Sequence, residues 1–381
     1  MLLEEIIKNN YKRCSIVFSK EHVMDLRLIL TICTIIFSFF LSFSGFLIYL
    51  KNPQPKEQAL FYKNLAFAPY CLSCMLLFSI LYFITPTATD FVRSIDAYSI
   101  IIPLLCAIIV YSCTLFQQTA KYTPLTILAA IVISTLLLPS DFLLFNNHFP
   151  FWLDRICIIA TWFLFANFYY ILNGVEGLLG AHTLSIGISF LILCFIDAIP
   201  LFYGLVALSI IGISGSFLIF NWFPARISFT TDSCKVLGFI IGWLLIYSSS
   251  ENMAPCNFIL IAFYILELIQ ASIKKISLRD KFATLTVNTT YYQANISGLS
   301  PTECCVFLFK LQTLLIIIAC FQLYSPNTYS LPMLSLLLTA WFLTKLKDWQ
   351  NPNTGIHEVN KNFIQNIRQN IDDIKNKLGK N

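Results

Sequence analysis

Charge is what this sequence has least of. Only 12% of its 381 residues are Asp, Glu, Lys or Arg, against roughly 25% in a soluble domain. With 57% of residues apolar and a mean hydropathy of +0.73, that deficit excludes an ordinary soluble enzyme and predicts a polytopic membrane protein. Histidine is nearly missing: His22, His148, His182 and His357 are the only four. No P-loop, dinucleotide glycine fingerprint or HExxH stretch occurs, so the mechanisms those motifs carry have no foothold here. Paired carboxylates placed for glycoside hydrolysis are absent as well. The net charge of +5 calls for no nucleic-acid partner. No repeats or low-complexity blocks appear. Cysteine, by contrast, is plentiful at thirteen, but most cysteines lie inside apolar runs, where they read as small buried hydrophobes. Cys71 and Cys74 have CxxC spacing without a second pair, which argues against zinc.

What the chain has in abundance is long apolar runs. A bilayer needs about 17–25 such residues per helix, and eleven stretches qualify: 28–50, 69–85, 97–115, 122–139, 153–172, 179–197, 199–220, 236–249, 256–272, 306–324 and 329–346. Spanning backbone must satisfy its own hydrogen bonds, which selects helices. The predicted fold is therefore all-α, a polytopic helical bundle of about eleven transmembrane helices over residues 28–346. It is preceded by an amphipathic segment, 1–27, and followed by a tail, 347–381. The first run is too long for a signal-peptide core, and no small-residue cleavage site follows it.

Loop charge sets the expected orientation. With the C-terminus cytoplasmic, the inner segments 51–68, 116–121, 221–235 and 273–305 and the tail carry nearly all the basic residues, including Lys121, Arg226, Lys235, Arg279 and Lys281. The outer loops offer only Arg93, which satisfies the positive-inside rule. The bases of residues 1–27 fall on the outer side and are mixed with acids. In the tail, Ile356, Val359, Phe363, Ile367, Ile371, Ile374 and Leu378 form one stripe at spacings of three and four. The stripe fits a helix lying on the inner leaflet. The alternative is a short coiled coil with a partner or a second copy, giving a homodimer.

Four inner segments combine turn residues with polar groups. Residues 115–124 read LFQQTAKYTP, with Gln117, Gln118 and Lys121. Residues 167–178 read NFYYILNGVEGL, with Asn167, Asn173 and Glu176 around two glycines. Residues 215–238 read GSFLIFNWFPARISFTTDSCKVLG, with Asn221, Arg226 and Asp232. Residues 287–300 read VNTTYYQANISGLS, downstream of Arg279 and Lys281. Glu267, near the inner end of the ninth run, is an acid inside a span, which is a functional position by default. A helix-end acid reaching for water is an equally good reading.

These segments resemble the membrane-embedded polyprenyl-phosphate N-acetylhexosamine-1-phosphate transferases. That family reads NxxNxxDGxDGL where this chain has 167–178, and GFLxxNxxPAxIFMGDxGSxxLG where it has 215–238. Asn167, Gly174, Gly177, Leu178, Asn221, Pro224, Ala225 and Asp232 match. The resemblance implies a bacterial inner-membrane location with the motif loops cytoplasmic. It also implies the reaction of a UDP-N-acetylhexosamine with polyprenyl phosphate to give polyprenyl-diphospho-sugar and UMP, initiating a cell-wall or O-antigen glycan, with Mg²⁺ as cofactor. Asp232 takes the position associated with the metal, and Glu176 replaces a second acid. Asn167, Asn221, Arg226, Lys121, Arg279 and Lys281 are the implied substrate-binding residues. The departures are chemical. Gln117 and Gln118 stand for an Asp-Asp pair and Asn173 for an aspartate, while the histidines of the last loop are missing around Tyr292-Gln293. An amide keeps an acceptor oxygen but neither carries charge nor takes a proton. Two readings follow, a working sugar-1-phosphate transferase and a non-catalytic relative that binds polyprenyl phosphate or scaffolds glycan assembly.

Overall fold

The computed structural model describes residues 34–47, 50, 103, 105–110, 122–136, 138, 142–144, 150–199, 201–249, 253–278, 284–325 and 329–348. Among these every regular element is helical, as the spanning-backbone argument requires. In chain order they are α1 (Thr34–Leu47), α2 (Thr123–Leu136), α3 (Phe151–Phe168), α4 (Leu178–Phe195), α5 (Leu201–Asn221) and α6 (Thr231–Ser248). Then come α7 (Ala254–Leu260), α8 (Ala262–Leu278), α9 (Thr290–Ile296), α10 (Pro301–Gln322) and α11 (Ser330–Asp348).

Among the described residues four stretches are long and apolar enough to cross a membrane: Phe151–Gly174, which adds a 3₁₀ turn to α3, then α4, α6 and α10. A fifth is the pair α7 and α8, bent by 61° at Ile261. So the expectation of eleven spans is met only in kind among the described residues. The run expected at 256–272 is two helices rather than one rod. The run expected from 236 begins as helix at Thr231, because Thr230 caps it by accepting from the Ser233 N–H at 3.2 Å. The runs 69–85 and most of 97–115, the segment 1–27, the tail stripe, and Gln117, Gln118, Lys121, Arg279 and Lys281 lie outside the described residues.

Lipid tails offer apolar helices no hydrophobic reason to associate, so close van der Waals approach must hold them, and small residues permit it. The α4–α5 hairpin does this at a seven-residue interval. A methyl group added at Gly180 would lie 2.5 Å from Leu218, one at Gly187 2.9 Å from Ile211, and one at Gly204 2.6 Å from Cys194. The α3–α6 contact uses Gly238 and Gly242, spaced as GxxxG. A Cβ at Gly238 would meet the Ala166 carbonyl oxygen at 2.9 Å, and one at Gly242 would meet the Trp162 ring at 2.8 Å. Trp162 seals that seam by stacking on Phe239 and donating from Nε1 to the Phe239 carbonyl at 2.9 Å.

Candidate functional site

The turn that follows α3 positions the segments around it. After Phe168 the chain tightens into a 3₁₀ turn, Tyr169–Gly174, and reverses at Gly177, whose φ of 81° is left-handed and suits a residue without a Cβ. Gly174 is packed so closely on Thr286 and Tyr292 that a side chain there would collide with them. Gly174 thus lets 171–177 lie against 284–292, while Gly177 lets Cys305 and Trp222 approach. Tyr291 completes the join, donating its hydroxyl to the Ile171 carbonyl. Burial, reinforced by the nearby Glu267 carboxylate, pushes the Tyr291 phenol well above its usual range, so it remains the protonated donor.

The connection between α5 and α6 is fixed to the same place. Asn221, 3% exposed, accepts from the Gly177 N–H at 2.9 Å through Oδ1 and donates to the Ile227 carbonyl at 2.7 Å through Nδ2. Asn173 donates from Nδ2 to the Phe229 carbonyl at 2.8 Å. Glu176, itself exposed, accepts from the Ala225 N–H at 2.9 Å. The Cys305 thiol, at the start of α10, lies 3.5 Å from the Glu176 carbonyl oxygen that accepts from it. The Phe223–Pro224 peptide bond is cis. The Phe229 ring stacks on Phe217 at 3.8 Å and meets Phe46 of α1 at 6.3 Å, anchoring the turn from its apolar side.

Three of the sequence-singled segments, 167–178, 215–238 and 287–300, therefore converge at one end of the helices. Of their polar side chains, Asn173, Asn221 and Glu176 are engaged in holding that end together. Asn167 is turned inward, 8% exposed, and donates to the Phe163 carbonyl of its own helix at 3.0 Å. Arg226 is exposed, with its backbone N–H bonded to the Phe220 carbonyl at 2.8 Å. Asp232 sits in the first turn of α6, where the helix dipole favours an acid. Its Oδ1 is 3.3 Å from the Lys235 ammonium, and the Lys235 and Asp232 side chains are 9% and 19% exposed. Glu267 is not the water-seeking helix-end acid of the second reading. It is fully buried and accepts from the Thr290 N–H at 2.9 Å, so that α8 closes the first turn of α9.

Mg²⁺ takes octahedral oxygen ligation, commonly one or two carboxylates with waters or phosphate oxygens. Here Asp232 already faces an ammonium and Glu176 already holds a backbone N–H. Among the described residues no three His, Cys, Asp or Glu side chains gather in a metal-binding group. This donor set does not fit the divalent ion that the family resemblance implies.

No family model matches the chain, and no curated protein matches it.

Motif reading passed over one buried polar cluster. His182 of α4 is fully buried, with Nδ1 3.0 Å from the Tyr169 hydroxyl, which lies 3.1 Å from Thr183 Oγ1. Thr183 donates its own proton to the Leu179 carbonyl at 2.8 Å. The Thr183 oxygen is then left to accept from Tyr169, so His182 carries its proton on Nδ1. Its other nitrogen, Nε2, has no partner. The spacing of Tyr169 and His182, across a turn from one helix to the next, gave no periodic signal.

Proposed function

We propose that this chain is a polyprenyl-phosphate-binding relative of the sugar-1-phosphate transferases that does not carry out the transfer. In this reading the protein lies in a bacterial inner membrane with eleven spans, and its motif loops and tail face the cytoplasm. It serves glycan assembly by holding or presenting the lipid phosphate. The observation that carries the proposal is the use made of the motif residues. Asn173, Asn221 and Glu176 bond to the backbone of facing segments, and Asp232 pairs with Lys235.

The transfer would need charge neutralisation of a diphosphate and a group able to activate the lipid phosphate, since phosphoryl transfer is run mainly by positioning and electrostatics. Amides at 117, 118 and 173 supply neither charge nor base. Losing one preorganised electrostatic group costs about 10²–10³ in rate, and several are replaced here. Pro224, Ala225 and the glycine turns keep the frame on which a lipid headgroup can rest.

Purified protein with UDP-N-acetylhexosamine, polyprenyl phosphate and Mg²⁺ is expected to release no UMP. Restoring Gln117→Asp, Gln118→Asp and Asn173→Asp together is expected to gain activity. UMP release by the unaltered chain, abolished by Asp232→Asn, would sink the proposal in favour of a working transferase.

A further inference from the structure

We infer that Lys235 is the built-in counter-charge of Asp232, so that this carboxylate takes up no divalent cation. The position of Lys235 is what needs explaining. It opens the second turn of α6, still near the end where the helix dipole is positive and gives a cation no help, and its side chain is 9% exposed. Burying an ammonium is costly unless it is paired. Asp232, three residues earlier, provides the partner at 3.3 Å.

The flanking residues favour the same arrangement. Thr230 Oγ1 accepts from the Ser233 N–H and lies 2.9 Å from Ser233 Oγ. The capping hydroxyl therefore serves the helix N–H, and Asp232 is left to meet the lysine. A divalent ion at Asp232 would sit within a few ångströms of that ammonium, and the two positive charges would compete for one carboxylate. The lysine is covalently tethered, so it meets no entropy of association. A soluble ion must displace it and leave it buried without a partner.

The claim does not depend on lipid binding, and its test uses no lipid substrate. Full-length protein in nanodiscs of neutral lipid is titrated with Mn²⁺ alone, and free Mn²⁺ is read by electron paramagnetic resonance. The isotherms of the unaltered chain and of Asp232→Asn are expected to coincide. A Mn²⁺ site present in the unaltered chain and lost in Asp232→Asn would overturn the inference.

Thermal unfolding of the same samples guards against a misfolded variant. Asp232→Asn is expected to lower the melting temperature by leaving Lys235 unpaired. Adding Lys235→Met to it is expected to recover most of that loss. Losses that simply add in the double variant would mean that the two side chains are uncoupled, and would equally overturn the inference.

Discussion

Asn221 ties two chain segments with one amide: its oxygen holds the Gly177 N–H and its nitrogen holds the Ile227 carbonyl. Both partners are buried, so truncation leaves backbone groups unsatisfied, at about 1–3 kcal/mol each. Asn221→Ala is expected to destabilise the protein by at least that amount in detergent-solubilised unfolding, and Asn221→Asp to keep only the bond to Gly177. The residue was legible as a motif position, but its partners were not, because Gly177 is 44 positions away in sequence. Lys235 shows the same limit. Its i, i+3 spacing to Asp232 is visible in the sequence, yet a basic residue beside an inner loop counts there toward orientation, and only the packed α6 N-terminus reveals that it is buried.

At the scale of helices, glycine decides which faces meet. A Cβ at Gly238 would come within 2.6 Å of Tyr169 Cβ and 2.9 Å of the Ala166 carbonyl, whereas one at Gly215 meets nothing within 4 Å. Overpacking a tight seam costs about 1–3 kcal/mol, while replacing an interior helical glycine by alanine gains up to about 1 kcal/mol. Gly238→Ala is therefore expected to lower thermal stability and Gly215→Ala to leave it unchanged or raise it, as measured by melting in the same detergent.

Where the described helices lie was largely readable from apolar runs, but their ends were not. The early start of α6 follows from Thr230. The start of α10 at Pro301 follows from a capping box, in which Ser300 and Glu303 each accept from the other's N–H. Both signals were present in the sequence, outside the apolar runs used to draw the spans. The bend at Ile261 has no proline or glycine to mark it. The closure of α9 by Glu267 joins residues 23 apart and has no local signature.

For the whole molecule, the proposed orientation rests on loop charge and the proposed site on the end at which three segments converge. The orientation proposed from positive-inside asymmetry has Asn381 on the cytoplasmic side. A fluorescent protein fused there is expected to fold and fluoresce, and alkaline phosphatase fused at the same point to be inactive; the opposite pattern would reverse the topology. The central claim, that this end receives a polyprenyl phosphate, is tested most directly by photocrosslinking. A photoreactive polyprenyl phosphate is added to the protein in nanodiscs, and the labelled peptides are identified. The account predicts adducts within 173–177 and 221–232 that excess unlabelled polyprenyl phosphate removes. Adducts scattered over the lipid-facing helices and insensitive to competitor would contradict it.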